Sequence, residues 1–249
     1  MFTPLRHTLA SLIAPSLLCL ALLPQAGQAA GATGSGRSAT ETRSLAEFGA
    51  IALSGSMDLV VRQGPTQSVQ VAADDNLLPM LETVVEPGTS GATLQLRWKK
   101  GSGYLSTRSK VLVTVVVPRL TALTASGSGD MRVESFNTPV FKLSISGSGD
   151  AKLMDLTTGE LGIAISGSGD VGGSGSATKL QIKIAGSGDV RLAEMAADEV
   201  SVSIAGSGDA AVNASKSLNV SIAGSGDVTY SGSAAVKSRV AGSGSVTKR

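Results

Sequence analysis

The chain has 249 residues, a formal net charge of +2, 3% aromatic residues, one cysteine and one histidine. That length holds one substantial core or one elongated repeat array. No lysine or arginine run occurs, and Phe48, Trp98, Tyr104, Phe136, Phe141 and Tyr230 are scattered. A basic groove with aromatic stacking platforms is therefore excluded, and with it nucleic acid as a partner.

In chain order, the first element is a targeting signal. Arg6 and His7 precede an apolar stretch over residues 9–23, which Pro15 interrupts and Pro24 ends, and small residues follow at 26–30. This is the layout of a secretory signal peptide over residues 1–29, with cleavage expected after Ala29 or Ala32. The stretch is short and contains a proline, which argues against a transmembrane anchor. Leu18 stands before Cys19 where lipid attachment needs a small residue. Cys19 and His7 are the only residues of their kinds, so both leave with the signal. The mature chain is expected in the periplasm or at the cell surface, without a transmembrane segment. It then has no thiol, imidazole or disulfide, which excludes a Ser-His-Asp triad, a Cys-His dyad and a His-ligated zinc site.

Residues 30–43, rich in Gly, Ser, Thr and Ala, read as a flexible leader. Residues 44–119 read as β-rich, with strand-like stretches at 58–62, 69–71, 93–97 and 111–117 and turns at 63–65, 86–88 and 100–103. A single helical turn fits residues 74–79. From residue 120 to 249 a Gly-Ser-Gly-Asp string recurs, ending at Asp130, Asp150, Asp170, Asp189, Asp209 and Asp227, with Ser245 in the last copy. The intervals of 20, 20, 19, 20, 18 and 18 residues are each one coil of a solenoid. Around each string, parity is strict. Leu143, Ile145, Gly147, Gly149, Ala151 and Leu153 fall on one face, and Ser144, Ser146, Ser148, Asp150 and Lys152 on the other. The first set predicts a narrow stacked core. The glycines are expected where the chain bends or opposite walls come close. Ile51, Leu53, Gly55, Met57, Leu59 and Val61 share this parity, with Asp58 in the aspartate position, and read as a degenerate first copy. The fold class is all-β, a parallel β-solenoid with a β-rich N-terminal portion, one continuous domain over residues 44–249.

Glu47-Phe48-x-x-Ile51, the string from Ser54 to Gly64, Val69-x-Val71 before the Asp74-Asp75-Asn76-Leu77-Leu78 run, and the later Gly-Ser-Gly-Asp copies together resemble the "putative auto-transporter adhesin head GIN domain" family. The resemblance covers residues 44–248. It implies a right-handed parallel β-helix in envelope or surface proteins.

The aspartates form the conspicuous candidate site. Stacking sets neighbouring carboxylates ~5 Å apart, where bare repulsion is roughly 3 kcal/mol at an effective dielectric near 20. Each carboxylate is expected to accept backbone N–H bonds within its own glycine turn. Calcium held by Asp130, Asp150, Asp170, Asp189, Asp209 and Asp227 is the alternative. No lysine or helix follows the glycines to make a phosphate loop. Trp98, Lys99, Lys100 and Tyr104 read as a surface hairpin. No catalytic residue and no cofactor stands out. The reading is a noncatalytic envelope protein presenting a surface for adhesion to an envelope protein or a surface glycan. The alternatives are a β-helical carbohydrate-processing enzyme acting through paired carboxylates and a calcium-stabilised repeat protein. Ser238 in an inward position and Lys248-Arg249 at the tip mark the C-terminal coil as the least protected, and as an edge for a second copy.

Overall fold

The computed structural model describes residues 31–89 and 91–249. The expected signal peptide lies outside the described residues. The short strands β1 (Ala32–Thr33), β2 (Ser38–Arg43), β3 (Ala50–Ser54) and β4 (Asp58–Gln63) open the chain. β5 (Ser68–Asp74), a 3₁₀ turn at Leu78–Met80, β6 (Leu81–Gly88), β7 (Gly91–Trp98), β8 (Leu105–Ser106) and β9 (Leu112–Val117) follow. The repeats begin with β10 (Ala122–Gly127), β11 (Met131–Glu134) and β12 (Asn137–Gly147). They continue through β13 (Ala151–Gly167), β14 (Val171–Gly186), β15 (Val190–Gly206) and β16 (Ala210–Gly224). β17 (Val228–Ser231), β18 (Ala235–Gly242) and β19 (Val246–Lys248) form the last coil.

From β10 onward every coil lies parallel to the next, with like residues in register. Leu143, Ile163, Ile182, Val202 and Val220 form one inward row. Ile145, Ile165, Ile184, Ile204 and Ile222 form the next. All of these side chains are buried. The inward–outward alternation breaks twice along β13 and twice along β15, which divides the coil into three walls. Wall one precedes the glycine turn, wall two follows it, and wall three is reached through a corner where Ser135 and Asp155 take φ of 48° and 52°. Thr138 and Thr158 point into wall three, and each hydroxyl donates to the carbonyl oxygen two residues on, Val140 and Glu160. Local acceptors thus allow hydroxyls in a dry core.

The early copy is the first coil. β3 pairs in parallel with β10 and β4 with β11, joining residues 72 apart. Residues 64–117 leave the coil and return to cover its open side, with β7 beside β3 and β9 beside β4. β5 and β2 extend that side in antiparallel fashion, and β6 hairpins onto β7. The segment expected as a flexible leader is therefore ordered at β2, which pairs with β5 along its whole length. Its polar residues suit an edge strand with both faces accessible, and composition alone does not register the available partner.

The glycines lie where the chain bends, one of the two expected placements, but the close approach is not between opposite walls. The first glycine of each turn has φ near +140°, and the atom that excludes a side chain is in the adjacent coil, not the opposite wall. A Cβ on Gly186 would overlap the carbonyl oxygen of Gly167, and one on Gly188 that of Gly169. Outward Gly172 has only Arg191 O at 3.9 Å from its virtual Cβ and no positive φ. Gly186→Ala is expected to lower unfolding stability by about 2–4 kcal/mol from combined strain and overlap. Gly172→Ala is expected to leave stability unchanged or to raise it by up to about 1 kcal/mol. Urea unfolding monitored by circular dichroism compares the two.

All eight residues of β18 are exposed, including Val236 and Val240, which continue the core rows. Hydrogen exchange of the amides at 236–246 is expected to be faster than at 180–192; equal protection in a dilute monomer contradicts this.

Candidate functional site

The Gly-Ser-Gly-Asp turns stack into one corner along the solenoid. Within it, backbone groups pair between coils: the Ser168 and Gly169 amides donate to Gly147 O, and the Val171 amide donates to Asp189 O. The amide at the aspartate position is left over, and from Asp170 onward the carboxylate of the preceding coil accepts it. Asp170 N donates to Asp150 Oδ1 at 2.9 Å, Asp189 N to Asp170 Oδ1 at 2.9 Å and Asp209 N to Asp189 Oδ1 at 2.9 Å. Asp227 N reaches Asp209 Oδ1, and Ser245 N reaches Asp227 Oδ1. Asp130 N makes the same bond to Asp58 Oδ1 at 3.0 Å, so the early copy has a rung of its own; among the described residues no such bond joins Asp150 N to Asp130, and the unbroken run starts at Asp150. The expected cap within each turn is thus a cap between turns. The reason is geometric: the carboxylate projects along the stacking axis, toward the only amide there without a backbone acceptor.

Cations beside the ladder offset part of the repulsion. Arg191 bridges Asp170 and Asp189, with guanidinium nitrogens 2.8 Å from Oδ2 of each. Lys110 pairs with Asp58. Burial pushes the Asp170 carboxyl up, but the Asp189 amide and the Arg191 guanidinium outweigh it and hold the group below its ordinary value. The remaining ladder carboxylates face solvent on one side. Asp130, Asp150, Asp170, Asp189, Asp209 and Asp227, the calcium candidates, form a single file. Among the described residues no cluster of three or more His, Cys, Asp or Glu side chains converges as a metal site would. A cation at Asp170 or Asp189 would compete with the Arg191 guanidinium for Oδ2.

The structure separates the aromatic-basic stretch. Trp98 ends β7 half-buried, and its ring faces Gly55 in the first turn. Tyr104 stands 83% exposed before β8, which pairs with β1. The hairpin lies at the other end of β7, where it meets β6. Asp74 is a buried carboxylate that the sequence did not single out. It accepts the Gly36 amide at 2.9 Å, the Arg108 amide at 2.8 Å, the Ser109 amide at 3.1 Å and the Ser109 hydroxyl at 2.8 Å. Burial pushes this group up as well, and those donors outweigh it to hold it below its ordinary value. Its role is to tie the N-terminal segment to the loop before β9. Nothing in the spacing of an Asp-Asp-Asn run announces that.

A three-walled parallel solenoid with a backbone-to-carboxylate ladder at one corner places the chain among parallel β-solenoid proteins. The chain belongs to the family described as "putative auto-transporter adhesin, head GIN domain", whose family model matches residues 47–234. In fold it is similar to a "putative adhesin" of Bacteroides fragilis, with 24% identity, TM-score 0.80, and coverage of 88% of this chain and 100% of that one. It is also similar to a "putative lipid binding protein" of Parabacteroides distasonis, with 24% identity, TM-score 0.72 and coverage of 88% and 100%. A "putative adhesin" of Parabacteroides merdae shares 21% identity at TM-score 0.71, with coverage of 88% and 99%. No curated protein matches the chain.

Because the Asp170 pKa is depressed in the folded state, its contribution to stability is present above the unfolded value near 3.8 and is lost as pH falls through the lower folded value. Asp170→Asn, which removes the pair with Arg191 but retains an acceptor, is expected to cost about 1 kcal/mol at pH 7. The deficit should shrink on acidification below about pH 4. Urea midpoints for both proteins between pH 7 and pH 2.5 check this; a deficit constant with pH contradicts it.

Proposed function

We propose that the chain is an exported, noncatalytic envelope protein whose solenoid presents a docking surface to an envelope protein or a surface glycan. The supporting observation is the outward side of wall one. Gly162, Gln181, Ser201 and Asn219 lie in one row, and Ser144, Ala164, Lys183, Ser203 and Ser221 in the next, across consecutive coils in register. Most of these side chains are short, so the face has low relief. Short side chains lose little conformational freedom when covered, and their hydroxyls and amides offer hydrogen bonds over a wide area. The family and the similar folds bearing adhesin names agree with this use. No helix among the described residues is long and apolar enough to cross a membrane. The acids recur at one repeated position, whereas glycoside hydrolysis uses one distinct pair.

Beads coated with the protein are expected to bind bacterial cells or their envelope vesicles. A Ser203→Arg/Ser221→Arg variant, which puts bulk on the face, should reduce that binding at least tenfold while leaving the unfolding midpoint in place. A panel of polysaccharides should show no new reducing ends. Binding indifferent to the double variant, or turnover abolished by mutating one acid pair, defeats the proposal.

A further inference from the structure

The third wall begins only at Asn137, because the first coil leaves for its long excursion at the point where that wall would start. A cleft of about 860 Å³ occupies the corresponding corner beside the first coil. Leu45, Phe48, Pro65 and Pro118 give it apolar walls, and Glu47 and Arg119 line it as well. The volume lies in the range of small-molecule pockets. Its wall is pinned in place. Gln67 accepts the Phe48 amide and donates to the Ala46 and Leu45 carbonyl oxygens, holding residues 45–48 against the loop before β5.

Three classes of occupant fit poorly. An added β-strand would need the free edge of wall three, but Gln63 takes both the Asn137 amide and its carbonyl oxygen, and Pro139 has no N–H. A sugar stacking on an aromatic face would need an open ring, and Phe48 is 7% exposed. A purely apolar ligand leaves the two charges unused. Glu47 and Arg119 are both exposed, and neither is in an ion pair among the described residues. A cleft with an apolar lining and both charge signs, unspent on each other, is complementary to a zwitterion with a hydrocarbon tail. Gly49 adds a second indication of open space. A Cβ there would meet nothing within 4 Å and no positive φ requires the glycine, so the fold does not account for the missing side chain.

We propose that this cleft binds a zwitterionic phospholipid. The phosphate sits on the Arg119 guanidinium, which suits bidentate contact with phosphate oxygens. The ammonium faces the Glu47 carboxylate, and an acyl chain lies along Leu45, Phe48, Pro65 and Pro118. The site is separate from wall one and does not depend on the adhesion reading.

Titration calorimetry of the full chain with lysophosphatidylethanolamine below its micelle concentration is the test. Saturable one-to-one binding is expected. Arg119→Gln should weaken it at least tenfold. Glu47→Gln should weaken it while leaving binding of anionic lysophosphatidylglycerol unchanged or tighter. Gly49→Leu, which fills the cleft from its wall, should abolish binding with the unfolding midpoint retained. Phosphoethanolamine without a chain should bind at least tenfold more weakly. Absence of saturable binding by the native chain overturns the proposal, as does undiminished binding by Arg119→Gln or Gly49→Leu, or equal affinity for phosphoethanolamine. If Gly49→Leu does not fold, Arg119→Gln decides, because its side chain is exposed and holds no ion pair. Cell-adhesion measurements on Arg119→Gln separate the two readings: retained adhesion with lost lipid binding leaves each standing on its own result.

Discussion

Backbone meets backbone at the glycine corner, and the rest of the molecule follows from that contact. A carbonyl oxygen of one coil lies where a side chain of the next would have to be, on both glycines of each turn. Only glycine tolerates the crowding, and at the first position only glycine readily adopts the required φ. Once two turns stack this closely, the flanking strands are set side by side. Their register is then fixed, because a slip of one residue would turn every inward isoleucine outward. The aliphatic rows are continuous because each turn seats on the one before it.

The same closeness creates an electrostatic problem and supplies part of its solution. A short acidic side chain at the fourth turn position reaches the one amide that the corner leaves without a backbone acceptor. Repetition therefore brings like charges together along a line. Hydrogen bonds from the next coil stabilise the charged forms of Asp150, Asp170, Asp189, Asp209 and Asp227, and Arg191 spans two members of the file. The ladder is thus part of the stacking machinery. Serine at position 245 still takes its place as donor, since its amide and hydroxyl both bond Asp227 Oδ1.

The N-terminal region solves a different problem, the exposed end of a stack. β7 and β9 lie against the first coil as parallel strands, while β5, β2 and β6 continue the sheet in antiparallel pairs. Asp74 secures the arrangement by gathering amides from two segments that are distant in sequence. Wall three has no such continuation, and the edge at Asn137–Pro139 is closed by Gln63 and by the proline. The cleft at Glu47 and Arg119 results from that unequal covering.

Within the repeats, the sequence determined most of the structure. Alternation over residues 143–153 set which side chains are inward, the 18–20-residue interval set one coil per copy, and the parity of residues 51–61 identified the first coil despite its degenerate string. These are local or periodic signals, and a repeat converts local pattern into global fold because each coil contacts only its neighbours. Tertiary structure decided what period and parity do not encode. The direction of the aspartate cap depended on which amide lay above each carboxylate. The ordering of residues 38–43 depended on β5 being available as a partner. The cleft depended on a wall that starts one coil late. In each case the partner lies far along the chain, from 18 to 74 residues away, and only the stacked coils bring it within reach.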